Sequence, residues 1–285
     1  MELITNRLIK QIIEPNNKFN NFKIKAQIGK QLFYPATKGI LLLPPSVPLA
    51  SFLEYKVGYK RDVKTAFMNH ISFDIAKVLE SRLSKLGYKE DNDERVQRAS
   101  IHFLDNTRKK RFTVSANITS EGTLKLRKYS NESTKHFVLS FTGSKSALDF
   151  RFRIISQEPP VTNVPSNLIN IINKATCNLN NRTVHLTETD KYKISVVRVK
   201  VKRKFFNTND EFSNGKLKVT ISEIKEKGKK DIQVTVTSDA LHEILKNMKD
   251  TKSNEELKKE CKKEVEKFVN ELYRLVDGLQ YNVTG

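Results

Sequence analysis

In the stretch VVRVKVKRKFF, Arg198, Lys200, Lys202 and Lys204 alternate with Val197, Val199 and Val201. A two-residue period is that of a strand, so the four cations share one face. The same spacing recurs as Lys23 and Lys25 in FKIKAQ, Lys125 and Arg127 in TLKLRKY, and Arg151 and Arg153 in DFRFRII. One such strand is commonly the wet face of an ordinary sheet. Four in one sheet repel one another unless something negative lies between them. A phosphate chain would supply that charge, because Arg offers a fork of donors and Lys a compact point charge.

The whole chain leans the same way. It has 52 Lys and Arg against 32 Asp and Glu, a net charge of +20 over 285 residues. That balance attracts nucleic acid or another polyanion, although part of it belongs to solvated faces of a Lys- and Asn-rich chain. Other chemistries find little footing. His70, His102, His136, His185 and His242 form no pair at metal-ligand spacing, and Cys177 and Cys261 match no zinc or redox pattern. There is no Gly-rich phosphate loop and no nucleophile elbow. RKKR at 108–111 reads as a basic turn or as an import or RNA-backbone patch. No signal peptide or membrane span is recognisable, so the expectation is a reduced intracellular protein, nuclear or cytoplasmic, of cellular, viral or parasite setting, with no membrane partner.

The elements that must carry these cations are mostly strands. Alternation marks NFKIKAQIG, ASIHFL, RFTVSANI, TLKLRKY, HFVLSFT, DFRFRII, RTVHLT, KISVVRVKVKRKFF, GKLKVTISEI and DIQVTVT. Helical spacing predicts an N-terminal helix ended by Pro15, a long helix from Arg61 to Leu86, with a candidate break near Ser72 and Gly87 at its end, a short one in PSNLINIINKAT, and two at the C-terminus. The last opens with Ser253 and Glu256 at capping-box spacing and carries a stripe of Leu257, Cys261, Val265, Phe268, Leu272 and Leu275. The resulting expectation is an α+β, mainly β fold: a closed antiparallel β-barrel over residues 1–250 with helices packed outside, and a C-terminal helix, 251–285, packed on it. In such a barrel the valines face outward beneath helices, and the cations line the lumen.

The order of these strands resembles the tunnel family of RNA 5′-triphosphatases, the triphosphate tunnel metalloenzymes of the mRNA-capping beta-subunit type. The similarity runs over about residues 5 to 240. RASIHF stands where the family has an Arg-x-Ser strand, with Arg98 and Ser100; LKLRKY follows as its basic strand. DFRFRIISQEPP matches an Asp-x-Arg strand ending in Glu and Pro, with Asp149, Arg151, Glu158 and Pro159. Arg198, Lys200 and Lys202 match an Arg-x-Lys-x-Arg strand, and LKVTISEI keeps Thr220. The resemblance implies a triphosphate tunnel whose phosphate contacts would be Lys125, Arg127, Arg151, Arg153, Arg198, Lys200 and Lys202.

The departures are at the metal. The family's first and last strands bring carboxylates that hold Mg²⁺ or Mn²⁺; here those positions are Lys23 and Lys25, and Gln233, Thr235 and Thr237, and Lys218 replaces a further Asp. The acids left to be recruited are Asp149, Glu158 and Glu223. The resemblance therefore implies a degenerate, catalytically inactive relative that binds RNA 5′ ends or polyphosphate in a cationic tunnel, or serves as a structural subunit of a capping or RNA-processing assembly. No cofactor is expected. Two alternatives stay open. One is an active, Mg²⁺- or Mn²⁺-dependent mRNA 5′-triphosphatase, partnered with a guanylyltransferase. The other is a non-enzymatic scaffold whose C-terminal helices bind another protein subunit.

Overall fold

The computed structural model describes residues 22–35, 63–108, 110–131, 136–142, 148–156, 164–207, 217–247 and 255–279. The expected N-terminal helix, Ser253 and Glu158 lie outside them. The main ladder runs β5 (Leu124–Asn131), β4 (Lys110–Ile118), β3 (Tyr88–Asp105), β10 (Tyr192–Asn207), β11 (Leu217–Glu226), β12 (Lys229–Ser238), β1 (Phe22–Pro35), β7 (Asp149–Ser156), β6 (His136–Thr142). Its pairings are antiparallel, and β2 (Val63–Met68) pairs off this path with the tail of β1. A separate small hairpin joins β8 (Thr176–Asn178) to β9 (Thr183–His185).

Two hydrophobic layers cover one side of this sheet. Ile24, Ala26 and Ile28 of β1, Phe150 and Phe152 of β7, Val219 and Ile221 of β11, and Val234 and Val236 of β12 pack into one core. Against them lie helices α1 (Phe73–Lys85), α3 (Asp239–Asn247) and α4 (Glu255–Val276). A second core joins alternate residues of β3 and β4, such as Ile101, Phe103, Phe112 and Val114, to helix α2 (Ser166–Asn173) and Cys177 of the hairpin. Period-2 strands thus turn most of their apolar residues toward a helix and leave most of the intervening polar residues on the opposite face.

The sheet is strongly curled. Laid flat, nine strands would hold β5 and β6 about 38 Å apart. Yet only residues 132–135 join Asn131 to His136, a path of five Cα steps that reaches about 18 Å at most. The closed barrel expected from the sequence is corrected to this extent: among the described residues no ladder joins β5 to β6, and the sheet is a curled but open path.

The long helix expected from Arg61 is also corrected. Residues 63–68 form β2, and the helix begins only at Phe73. Val63 and Phe67 satisfy a spacing of four, but they satisfy a spacing of two equally well. The tail of β1 decides between them by offering a full row of backbone partners, from Lys30 opposite Met68 to Pro35 opposite Val63. Ser72 then caps α1 by accepting from the Ile75 amide at 3.3 Å, and Gly87 (φ 82°) ends it in the left-handed region.

Gly29 sits where β1 passes from β12 to β2. A Cβ there would lie 2.0 Å from the Met68 carbonyl oxygen and 2.8 Å from a Phe67 ring carbon. Backbone cannot give way as a flexible side chain can, so Gly29→Ala is expected to destabilise the fold by about 3 kcal/mol or more. Chemical denaturation against Gly228→Ala, where the new methyl meets nothing within 4 Å but the φ of 81° is unfavourable, separates contact from backbone strain.

Candidate functional site

The polar side of the curled sheet is built row by row from cross-strand partners. Lys25 lies opposite Arg153; Gln27 is flanked by Arg151 and Thr235, and Thr235 continues to Thr220 and Lys204. A second row joins Lys202, Ser222 and Gln233. A third joins Lys200, Arg98, Asn117 and Lys125. Arg198 sits opposite Ser100 and Ser115 in the row above. The cations expected on one face are therefore on one face. Lys125 and Arg127 lie at its exposed edge, with Arg127 at a bulge in the β4–β5 pairing. Lys23 is opposite Ile155, but its side chain is outside the description. Arg98 joins the set although the paired-cation pattern does not mark it, because its neighbour two residues on is Ser100.

Curling brings distant strands together across this face. Burial, then repulsion from Arg198 and from Arg153, lowers the Lys200 ammonium, with Glu226 opposing. Arg153 is four strands away along the sheet, about 19 Å if the sheet were flat. Burial, followed by Arg98, Lys25, Lys200 and Arg127, pulls Lys202 down to about 8. These five cations come from β10, β3, β1 and β5. Burial and then Arg127 lower Arg98; burial and then Arg153 lower Arg151; burial lowers Arg153. The Nε atoms of Arg98, Arg151 and Arg153 are buried and have no hydrogen-bond partner among the described residues, while the Arg151 guanidinium stacks 4.8 Å from the centre of the Phe67 ring. Donors of this kind are costly to leave unmade.

Acids stand at the margins of the face. Glu226, next to the β11–β12 turn, pairs with Arg198; Asp239, just after β12, pairs with Lys218; Asp149, first in β7 and fully buried, lies 3.3 Å from Lys30. Glu223 points to the other side of β11, where Arg182 holds it at 2.7 Å. It cannot serve a reaction on the polar face. Arg203, odd in a row of even cations, likewise points outward and is clasped by Glu80 of α1.

A hard divalent cation needs several anionic oxygens. The positions where the resemblance would place such ligands carry Lys25, Gln233, Thr235 and Thr237, and Lys25 is a cation in the row beside Gln27 and Thr235. Among the described residues no group of three or more His, Cys, Asp or Glu side chains is placed to hold a metal. This donor set does not fit Mg²⁺ or Mn²⁺. What it can do is gather adjacent phosphates.

No family model and no curated protein matches the sequence. The fold does have a counterpart. The solved structure of the S. pombe Pct1 RNA triphosphatase in complex with the Spt5 CTD superposes with a TM-score of 0.60 at 13% identity, covering 97% of this chain and 93% of that one. The likeness is one of fold: a mainly antiparallel sheet with few helices. Among the described residues no helix is long and apolar enough to cross a membrane.

Proposed function

We propose that this protein binds the 5′-triphosphate end of RNA, or another short polyphosphate, on the cationic concave face, and that it does so without metal-assisted hydrolysis. The observation that carries the reading is the convergence of Lys25, Arg98, Arg127, Arg153, Lys200 and Lys202 from five strands, close enough that their charges help lower Arg98, Lys200 and Lys202. Three arginine Nε–H groups there await an acceptor. A condensed phosphate chain offers closely spaced negative oxygens to both kinds of donor. The triphosphatase fold and the curl of the sheet support a tunnel enclosing that chain. Of the spare acids within the described residues, Asp149 is buried beside Lys30 and Glu223 is held by Arg182 on the other side of β11, which supports binding over turnover.

The scaffold reading is less well supported. The apolar stripe of α4, from Cys261 through Val265, Phe268, Leu272 and Leu275, is buried in the chain's own core. That leaves this helix no apolar face to offer a partner.

The test is binding of one RNA with a 5′-triphosphate or a 5′-hydroxyl end, alongside phosphate release with Mg²⁺ or Mn²⁺. The expected result is tighter binding of the triphosphate end, no release, and about a 50-fold loss of affinity between 50 and 200 mM salt if four phosphates are neutralised. Metal-dependent release would restore the enzyme; equal binding of both ends would remove end recognition.

A further inference from the structure

Phe205 and Phe206 are adjacent in β10 and face opposite ways. Phe205 is buried in the core with Val219 and Ile221. Phe206 is half-buried on the polar face, in register with Lys204 and Lys202 along its own strand. Its cross-strand partners are Lys89 on β3 and Lys218 on β11. The Lys218 ammonium sits 5.3 Å from the centre of the Phe206 ring and is steadied by Asp239. An aromatic ring between two lysines on a cationic face is not explained by packing.

Its place suits a base. Phe206 lies four residues beyond Lys202, about 14 Å along the strand, at the end of the sheet where β12 runs into α3. An extended nucleoside triphosphate can bridge that distance, with its phosphates at Lys200 and Lys202 and its base at the ring. Every nucleobase has a π-face, so such a platform tolerates sequence. Lys218 and Lys89 beside the ring would meet the sugar-phosphate backbone that continues from it.

We propose that Phe206 is the stacking platform for the terminal nucleobase, so that the site takes a nucleotide end more tightly than inorganic polyphosphate, and takes it with the base toward the α3 end of the sheet. This rests on the reading of the concave face as a phosphate site.

The chain contains no tryptophan, so Phe206→Trp places the sole indole at the proposed platform. Adenosine triphosphate is expected to quench its fluorescence, whereas inorganic tripolyphosphate binds without comparable quenching. In the parallel variant Phe206→Leu, affinity for adenosine triphosphate should fall about 5- to 100-fold with tripolyphosphate affinity unchanged. If both ligands bind the wild type equally and Phe206→Leu alters neither, the platform is overturned while the phosphate site stands. If tripolyphosphate does not bind at all, the phosphate site itself is wrong and the platform falls with it.

Discussion

Replacing Lys202 by methionine should make the unliganded protein more stable. Lys202 is charged at neutral pH in a place that resists charge: burial first, then Arg98, Lys25, Lys200 and Arg127, lower it from 10.5 to about 8. Each unit of such a shift corresponds to about 1.4 kcal/mol, so the charged form costs the folded state on the order of 3 kcal/mol. Methionine keeps the length and removes the charge. A gain of about 1–3 kcal/mol is expected at pH 7, read as a rise of about 3–8 °C in Tm or as a shifted denaturation midpoint.

The pH dependence gives that gain a signature. Between about 8 and 10.5 the unfolded chain keeps the Lys202 proton while the folded protein has shed it. The unfolded state then binds more protons, so the wild type gains stability as pH rises through this window. The advantage of Lys202→Met should shrink from pH 8 upward and vanish above about 10.5. Comparing the two proteins at each pH cancels the titrating groups remote from Lys202. A gain that is the same at pH 7 and pH 10, or a net loss at pH 7, would show that Lys202 is not held against a repulsive field. The same variant should bind polyphosphate more weakly, which is the trade expected of a site kept strained for its ligand.

How far the sequence reveals this face depends on what decides each element. Strands such as β10 and β12 are legible because each must bury one side: Val199, Val234 and Val236 can only go under helices, and the alternate Lys200, Lys202, Gln233 and Thr235 follow to the other side. The stretch Val63–Met68 is not legible, because its apolar spacing fits two periods and the choice is made by the tail of β1, 28 to 38 residues upstream in sequence. Arg98 is half legible. Its strand alternates plainly, but only the register with Lys200 shows that it belongs among the cations.

Direction is harder to read than element type. Arg203 interrupts the even-numbered cations and turns outward to Glu80, and Glu223, a reasonable spare acid by composition, turns outward to Arg182. Neither ion pair has a local sequence signal, since the partners are 123 and 41 residues apart. Phe206 is the reverse case: side-by-side phenylalanines read as core, and only the pairing with Lys218 and Lys89 shows that one of them faces the cations.

The largest loss of binding should come from removing two guanidinium groups at once. Arg98 approaches the face from β3 and Arg153 from β7, so together they would grip a ligand from both flanks of the curl, and each holds a buried Nε–H that no described residue satisfies. A hydrogen bond to a charged group contributes about 1.5–3 kcal/mol, and two of them removed together amount to about 3–6 kcal/mol, or two to four orders of magnitude in Kd. Arg98→Ala with Arg153→Ala should therefore abolish detectable tripolyphosphate binding by calorimetry. Stability should hold or rise, because both residues are held below their usual range chiefly by burial, and both leave an unmet donor behind. Arg98→Lys with Arg153→Lys keeps the charge but loses the fork, and recovery should be partial. Full recovery by lysine would mean that the face acts only as a diffuse positive field. No loss with alanine would mean that the phosphate chain lies elsewhere.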